Sequence, residues 1–348
     1  MNNVSFSVCI PNYNYAAFLG MTIQSVLDQT YPAYEIIIAD NASTDNSVEV
    51  IKSFKDSRIR LIKNEINIGF GPNLDIATEQ AKGDFIILLS SDDIMKPNAL
   101  SVYAKILMSY EQGNENLVLF SAFDLINENN HIFLSKNAIP SHIDKALNTG
   151  LIEGNRKNGL SIIKGNDALK ITLRTTLSSV GQFCTTCYSK TLYDRVKGYR
   201  SQTTIIPDAT FMHKICFLNP ILIYTEENIF QYRIHQSSNY TNLQKMKNIK
   251  LLTDKYVLTQ LYTSSDLNAI GLSTIEIKKA FIQHYCINVP FFSLLKGKGA
   301  KTYHHLFFGL ASYPILSLQH FKFYITLFGL PFLPIFKFLN FIFNKQSK

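Results

Sequence analysis

Acidic residues stop at Glu276. The 348-residue chain carries 34 Lys and Arg against 26 Asp and Glu, a formal charge of +8. The 72 residues from Ile277 to Lys348 hold nine lysines, no arginine and no acid. The preceding 276 residues set 25 bases against 26 acids, so the body of the chain is neutral. That excludes a general binder of phosphate backbones, which needs a basic patch on its folded domain. Charged residues are also scarce, at 17% against 46% hydrophobic. So low a charge content excludes intrinsic disorder and implies a surface that does not wholly face water. Cysteine is sparse: Cys9, Cys184, Cys187, Cys216 and Cys286 are odd in number and irregularly spaced. They offer no disulfide framework and fit a reducing cytoplasm. Cys184 and Cys187 form a C-x-x-C without the second pair or the nearby His that zinc requires, so they are expected to be ordinary core or loop thiols. No secretory leader is expected, because Met1-Asn2-Asn3 runs directly into a strand-like Val4–Ile10.

What the chain has in quantity is alternation of strand and helix patterns. Its length suits two domains, or one large α/β domain with an appendage. Phe6–Ile10 reads as a strand ended by Pro11. Ala17–Leu27 places Phe18, Leu19, Thr22, Ile23, Val26 and Leu27 on one helical stripe. Strands follow at Tyr34–Ala39, Arg58–Ile62, Phe85–Leu89 and Leu117–Phe123, with helices at Ser47–Phe54, Leu74–Ala81 and from Pro97 to about Ser109. Such alternation predicts a mostly parallel sheet with helices on both faces. Ligands of such sheets bind beyond the carboxyl ends of the strands. Those ends are Pro11–Asn14, Asp40–Asp45 and Ser90–Asp93, which predicts a crevice lined by carboxylates. From 130 to 235 the pattern is less regular, with Asn127–Asn130 and Asn148–Gly159 expected as loops. Helices are expected at Asn166–Arg174, Thr191–Val196 and Asp208–Leu218, and strands at Ile221–Tyr224 and Ile229–Ile234. From about 245 the pattern is helical.

Two clusters carry candidate chemistry. Gly69-Phe70-Gly71-Pro72 lacks the sixth-position glycine of a dinucleotide fingerprint, where Leu74 stands, and there is no G-x-x-x-x-G-K-[ST]. Dinucleotide cofactors and P-loop ATP are thereby disfavoured. Asp92-Asp93, directly after a buried strand, set two like charges side by side. A divalent cation or a sugar hydroxyl would relieve their repulsion; otherwise they cap the following helix.

Five segments in order then resemble glycosyltransferase family 2: Ser7–Asn14, Ser25–Tyr31, Glu35–Asp45, Asn67-Ile68-Gly69, and Ala81–Phe85 running into Asp92-Asp93. The resemblance covers about residues 4–240. It implies the GT-A fold, a Rossmann-like α/β architecture, and an inverting transfer from a nucleotide sugar, most commonly a UDP-sugar. It also implies roles. Pro11 and Tyr13 would bind the nucleotide, Asp40 would accept a hydrogen bond from the base, and Asp92 would lie near the ribose. Asp93 would ligate Mg²⁺ or Mn²⁺, joined by His235 of the Tyr232-Arg233-Ile234-His235 segment. Asp208 would be the catalytic base. Arg233 would neutralise phosphate or pair with Glu226 or Glu227. The family often has an Asp where Ser90 stands and a Glu where Pro207 stands. Those departures keep open a second possibility, a catalytically degenerate nucleotide-sugar-binding scaffold. Processive members carry a Gln-x-x-Arg-Trp segment, and this chain has no tryptophan, so a single transfer is expected.

The C-terminal segment is a separate feature. Residues 303–343 contain 13 aromatics, ten of them Phe. Its uncharged runs Leu306–Leu318 and Phe323–Phe336 are shorter than the ~20 residues of a membrane span, and prolines 314, 331 and 334 interrupt them. Amphipathic segments lying in the interface are expected, with lysines reaching anionic head groups. The expected organisation is a nucleotide-sugar domain over 1–240, a helical extension over 241–302 and a membrane-associating tail over 303–348. The protein would sit peripherally on the cytoplasmic face of the membrane, with a glycan or lipid-linked sugar as acceptor.

Overall fold

Strand β1 (Phe6–Asn12) is buried along its whole length, as are β2 (Glu35–Asp40) and β4 (Phe85–Leu88). Continuous apolar runs of this kind fit strands covered on both faces. In the computed structural model, which describes residues 4–110, 113–175, 180–199, 207–235, 255–256, 261–296 and 300–329, they lie side by side. With β3 (Ile59–Lys63) they form a parallel block ordered β3-β2-β1-β4. Helix α1 (Ala16–Leu27) follows β1 and turns Leu19, Thr22, Ile23 and Val26 inward. Helix α2 (Ser47–Ser53) follows β2. Helix α3 (Phe70–Glu79) begins earlier than its apolar pattern suggests. Gly69, at φ +90°, lets the chain swing directly into it, a conformation that favours glycine.

Beyond β4, the short β5 (Ile94–Met95) precedes α4 (Ala99–Ser109). Strand β6 (Leu117–Ile126) turns back into β7 (Ile132–Lys136). Helix α5 (Ser141–Asn148) follows, and within the stretch Asn148–Gly159 expected as loop, Gly154–Lys157 forms β8, which pairs with β9 (Leu160–Lys164) ahead of α6 (Gly165–Thr175). The three-residue β10 (Cys187–Ser189) is wedged antiparallel between β4 and β6. Helices α7 (Lys190–Val196) and α8 (Pro207–Phe217) lead to β11 (Ile221–Arg233). This last strand replaces the two expected there. It pairs parallel to β6 through irregularities around Thr225–Phe230 that absorb the polar Glu226-Glu227. The result is an eleven-stranded mixed sheet flanked by helices. Phe6, Val8, Ile10, Ile36, Ile38, Phe85, Ile87, Leu117 and Leu119 belong to its core. All five cysteines are buried free thiols.

The chain divides into two compact units, residues 1–169 with 178–253, and 170–177 with 254–348. The expected boundary at 240 lies outside the described residues. In the second unit, α9 (Ser264–Ala269) and α10 (Thr274–Phe281) each open on a reciprocal capping box, from Thr263 with Asp266 and from Ser273 with Glu276. Helix α10 continues through a π-helical segment (Ile282–Asn288) into α11 (Val289–Leu295). Helices α12 (Ala300–Ser312), α13 (Pro314–Leu318) and α14 (Phe321–Gly329) pack against this rod and one another. The expected break at 302/303 therefore falls inside α12. Leu306 and Phe323 are buried, and a Cβ at Gly309 would lie 2.4 Å from that of Cys286. No helix of the described residues is long and apolar enough to cross a membrane.

Candidate active site

The carboxyl ends of β1 and β2 are sewn together by side chains. Asp40 is fully buried. Its Oδ1 accepts from Asn12 Nδ2 at 2.8 Å and Ser43 Oγ at 2.5 Å, and its Oδ2 accepts from the Ser43 amide at 3.0 Å. Ser43 Oγ also accepts from the Asn14 amide at 3.0 Å. Asn14, at φ +59°, receives the Thr44 amide on its Oδ1 at 2.7 Å. Asp45 accepts the Ala16 amide at the head of α1 and the Ser47 amide and hydroxyl at the head of α2. These bonds hold it below the ordinary carboxylate range although burial pushes the other way. Asp40 thus builds the turn at the end of β2, with one bond on Oδ2 and two on Oδ1. Pro11 is buried behind this turn, while Tyr13 stands out, 41% exposed.

The neighbouring Asn41 was not singled out by sequence, yet it organises the adjoining loop. Its Nδ2 donates to Asn67 Oδ1 and the Gly69 carbonyl, and its Oδ1 accepts from Asn64 Nδ2 and the Ile68 amide. Asn67-Ile68-Gly69 is thereby fixed against the end of β2. The advance signal was that Asn41 lies in Glu35–Asp45 and its partners Asn67, Ile68 and Gly69 in another of the segments that resemble the family.

At the end of β4, Asp92 and Asp93 point to different environments. The Asp93 side chain is completely buried, and its Oδ1 accepts the Arg233 amide at 2.9 Å. Burial first and the charge of Asp92 second raise its carboxyl well above the ordinary range. Asp92 keeps 12% side-chain exposure, and its Oδ2 lies 2.9 Å from Nε2 of His235. Those two residues are 143 positions apart. The His235 ring is held by Tyr15, edge-on at 5.7 Å, and by Phe18 at 4.9 Å. Thr22 on α1 donates to the carbonyls of Ser91 and Asp93, which fixes the loop from below.

Arg233 pairs with neither of the glutamates expected for it. Its Nε donates to the Asp92 carbonyl at 2.8 Å and its Nη1 to the Asn127 carbonyl at 2.9 Å. The guanidinium lies 4.8 Å over the Phe18 ring and is buried. Arg233 therefore clamps the ends of β4, β6 and β11 and is not presented to a phosphate.

Asp208, in the first turn of α8, is half-buried. It lines a small pocket with Leu88, Phe183, Thr186, Tyr199 and Met212. Burial raises its carboxyl above the ordinary range, partly offset by the backbone N–H groups of the helix start. A carboxylate lifted in this way suits proton abstraction near neutral pH. Among the described residues no cluster of three or more His, Cys, Asp or Glu could hold a metal. The Asp92–His235 pair offers two donors, which suits a cation that completes its shell with phosphate and water.

A model for glycosyl transferase family 2 matches residues 7–167. This segment belongs to glycosyltransferase family 2. It runs from Ser7 in β1 through β9 into the start of α6. A relative from Escherichia coli, UDP-Glc:alpha-D-GlcNAc-diphosphoundecaprenol beta-1,3-glucosyltransferase WfgD, is 33% identical over 129 residues, 37% of this chain and 49% of that protein. The chain thus spans about half the length of that relative. An uncharacterized glycosyltransferase of Haemophilus influenzae is 24% identical over 341 residues, 93% of this chain and 92% of the other. The crystal structure of S. aureus TarS 1-349 in complex with UDP-GlcNAc superimposes with a TM-score of 0.57 at 13% identity, covering 98% of this chain and 92% of that one. That likeness establishes the GT-A fold of the family 2 chain.

Proposed function

We propose that this protein is an inverting, metal-dependent glycosyltransferase that moves one sugar from a UDP-sugar to a hydroxyl of a lipid-linked glycan. Its main support is the pairing of Asp92 with His235 at the sheet's carboxyl edge, within a family 2 chain. Similar proteins support the substrates: WfgD takes UDP-Glc to a diphosphoundecaprenol-linked sugar, and TarS was crystallised with UDP-GlcNAc.

The nucleotide would lie across the ends of β1 and β2, with Tyr13 beside the base and the Asn41 network shaping the floor. Asp92 and His235 would hold Mg²⁺ or Mn²⁺, which supplies positive charge beside the departing diphosphate. We assign the metal to Asp92, which keeps solvent access beside His235, instead of Asp93, whose Oδ1 accepts the Arg233 amide and whose Oδ2 is buried without a hydrogen-bond partner. Asp93 and Arg233 are positioning residues that hold the loop carrying Asp92. Asp208 takes the proton from the acceptor hydroxyl as its oxygen attacks the anomeric carbon. The bond from that carbon to the nucleotide oxygen breaks on the opposite face, the nucleoside diphosphate leaves, and the anomer inverts.

Thermal denaturation with UDP, GDP and UDP-sugars, with and without Mn²⁺, tests the donor half, since ligand binding raises the melting temperature. The expected outcome is a shift with UDP that grows with Mn²⁺. No shift with any nucleotide would refute the proposal. A melting shift without any hydrolysis or transfer would favour the scaffold alternative raised by Ser90 and Pro207. The lipid-linked acceptor also motivates a peripheral position on the cytoplasmic face of an anionic membrane, with contact through residues 303–348.

A further inference from the structure

The second unit exposes apolar side chains in a helical order. On α14, Phe321, Tyr324, Ile325 and Phe328 are 68%, 42%, 47% and 67% exposed. Their spacing puts them on one stripe, while Phe323 and Thr326 on the other side are buried at 2% and 0%. Ile315 on α13 adds 72% exposure and Phe292 on α11 adds 51%. Lys322 joins two of these surfaces. Its Nζ donates to Asn288 Oδ1 at 3.3 Å and lies 5.3 and 5.7 Å from the ring centroids of Phe291 and Phe292. The start of α14 and the exposed Phe292 are therefore neighbours, with a lysine between them.

The charge of the segment selects the occupant. Every charged side chain after Glu276 is a lysine. An identical face brought against this one would set lysines against lysines with no acid to relieve them. An anionic bilayer instead accepts the apolar stripe among its acyl chains and attracts the lysine-only charge of the segment. We infer that the exposed face of α11, α13 and α14 is a docking surface for an anionic lipid bilayer. The inference rests on the proposed membrane-side function and places the contact on folded helices ahead of residue 330.

Sedimentation with vesicles tests it. The full chain should bind vesicles of equal parts phosphatidylcholine and phosphatidylglycerol and bind pure phosphatidylcholine much less. Phe321→Ser with Phe328→Ser should weaken binding by about tenfold or more, and Tyr324→Ser with Ile325→Ser should act in the same direction. The melting temperature should be unchanged in both, because the side chains are exposed. A chain ending at Gly329 should keep most of the binding. Three results would overturn the inference: equal binding by the substituted and unaltered proteins, loss of all binding on removal of residues 330–348, or conversion of a dimer to a monomer by the double substitutions. Transfer to a short water-soluble acceptor, measured in parallel, reports on the enzymatic proposal alone, so the two can fail separately.

Discussion

Asp208 is asked to do opposite things by stability and by catalysis. Its buried carboxyl has a raised pKa, so the folded state favours the protonated form. That contribution to stability is complete below the ordinary carboxylate range and is lost as pH rises through the raised value. Proton abstraction needs the ionised form. Asp208→Asn should therefore reduce transfer by roughly 10²–10⁴ while the melting temperature at neutral pH holds or rises. In the unaltered protein, turnover should fall as pH is lowered into the raised range. Full activity of the variant would remove Asp208 from the role of base. The two adjacent aspartates separate just as cleanly. Asp92→Asn should abolish the Mn²⁺-dependent part of the UDP melting shift. Asp93→Asn, which keeps an oxygen for the Arg233 amide, should retain it. Loss of the shift in the Asp93 variant alone would restore the metal to Asp93. Sequence brought Asp92, Asp93, Asp208 and His235 to notice but assigned the two aspartates by family resemblance. Which of two consecutive side chains faces inward depends on the Arg233 amide 140 positions away, and no local pattern encodes that.

At the scale of elements, three strands are stapled near their starts by one buried carboxylate. Glu35 accepts from Ser7 Oγ at 2.7 Å, the Lys82 amide at 2.6 Å and Arg60 at 2.7 Å. Glu35→Ala would leave the first two donors without a partner, at a cost of about 2–3 kcal/mol, seen as a lower urea midpoint. Gly83 belongs to the same staple. A Cβ there would lie 2.8 Å from the Ser7 backbone nitrogen, so Gly83→Ala should destabilise by about 1–3 kcal/mol. An unchanged midpoint for both variants would show that the staple carries no stability. This joint explains why Gly83 and Asp84 occur together: Asp84 receives the Ser5 amide and hydroxyl, and Ser5 receives the Asp84 amide. The parallel block was legible because β1, β2 and β4 each carry a run of apolar residues that is buried on both faces. Strand β10 was not, since three residues show no period. Strand β8 is exposed along its length and so lacks the alternation that marks a half-buried strand.

At the scale of the whole molecule, part of the charge excess is carried by folded helices, with Lys278 and Lys279 on α10 and Lys322 on α14. Composition locates the lysines and phenylalanines. It could not tell which phenylalanines are core, because buried Phe323 and exposed Phe321 sit two positions apart in the same helix. Removing residues 300–348 would take Leu306 and Phe323 out of that core. The truncated protein should then be cut rapidly within residues 261–296 by a low dose of protease, while a chain ending at Gly329 resists. Equal resistance of both truncations would mean that α12 to α14 add nothing to the unit's stability.

The π-helical segment between α10 and α11 has a consequence for how this surface could be redirected. A π-helical turn holds more residues than an α-helical one, so it sets the angular phase of everything after it. Deleting one residue between Ile282 and Asn288 would close the wide turn to an α-helical one and leave the phase of α11 nearly unchanged. Deleting one residue from the α-helical turns of α10 would instead turn everything after it by about 100° and carry Phe292 away from Lys322. The π-helical segment is thus where this rod tolerates a change of length, and its α-helical turns are where the surface would be redirected.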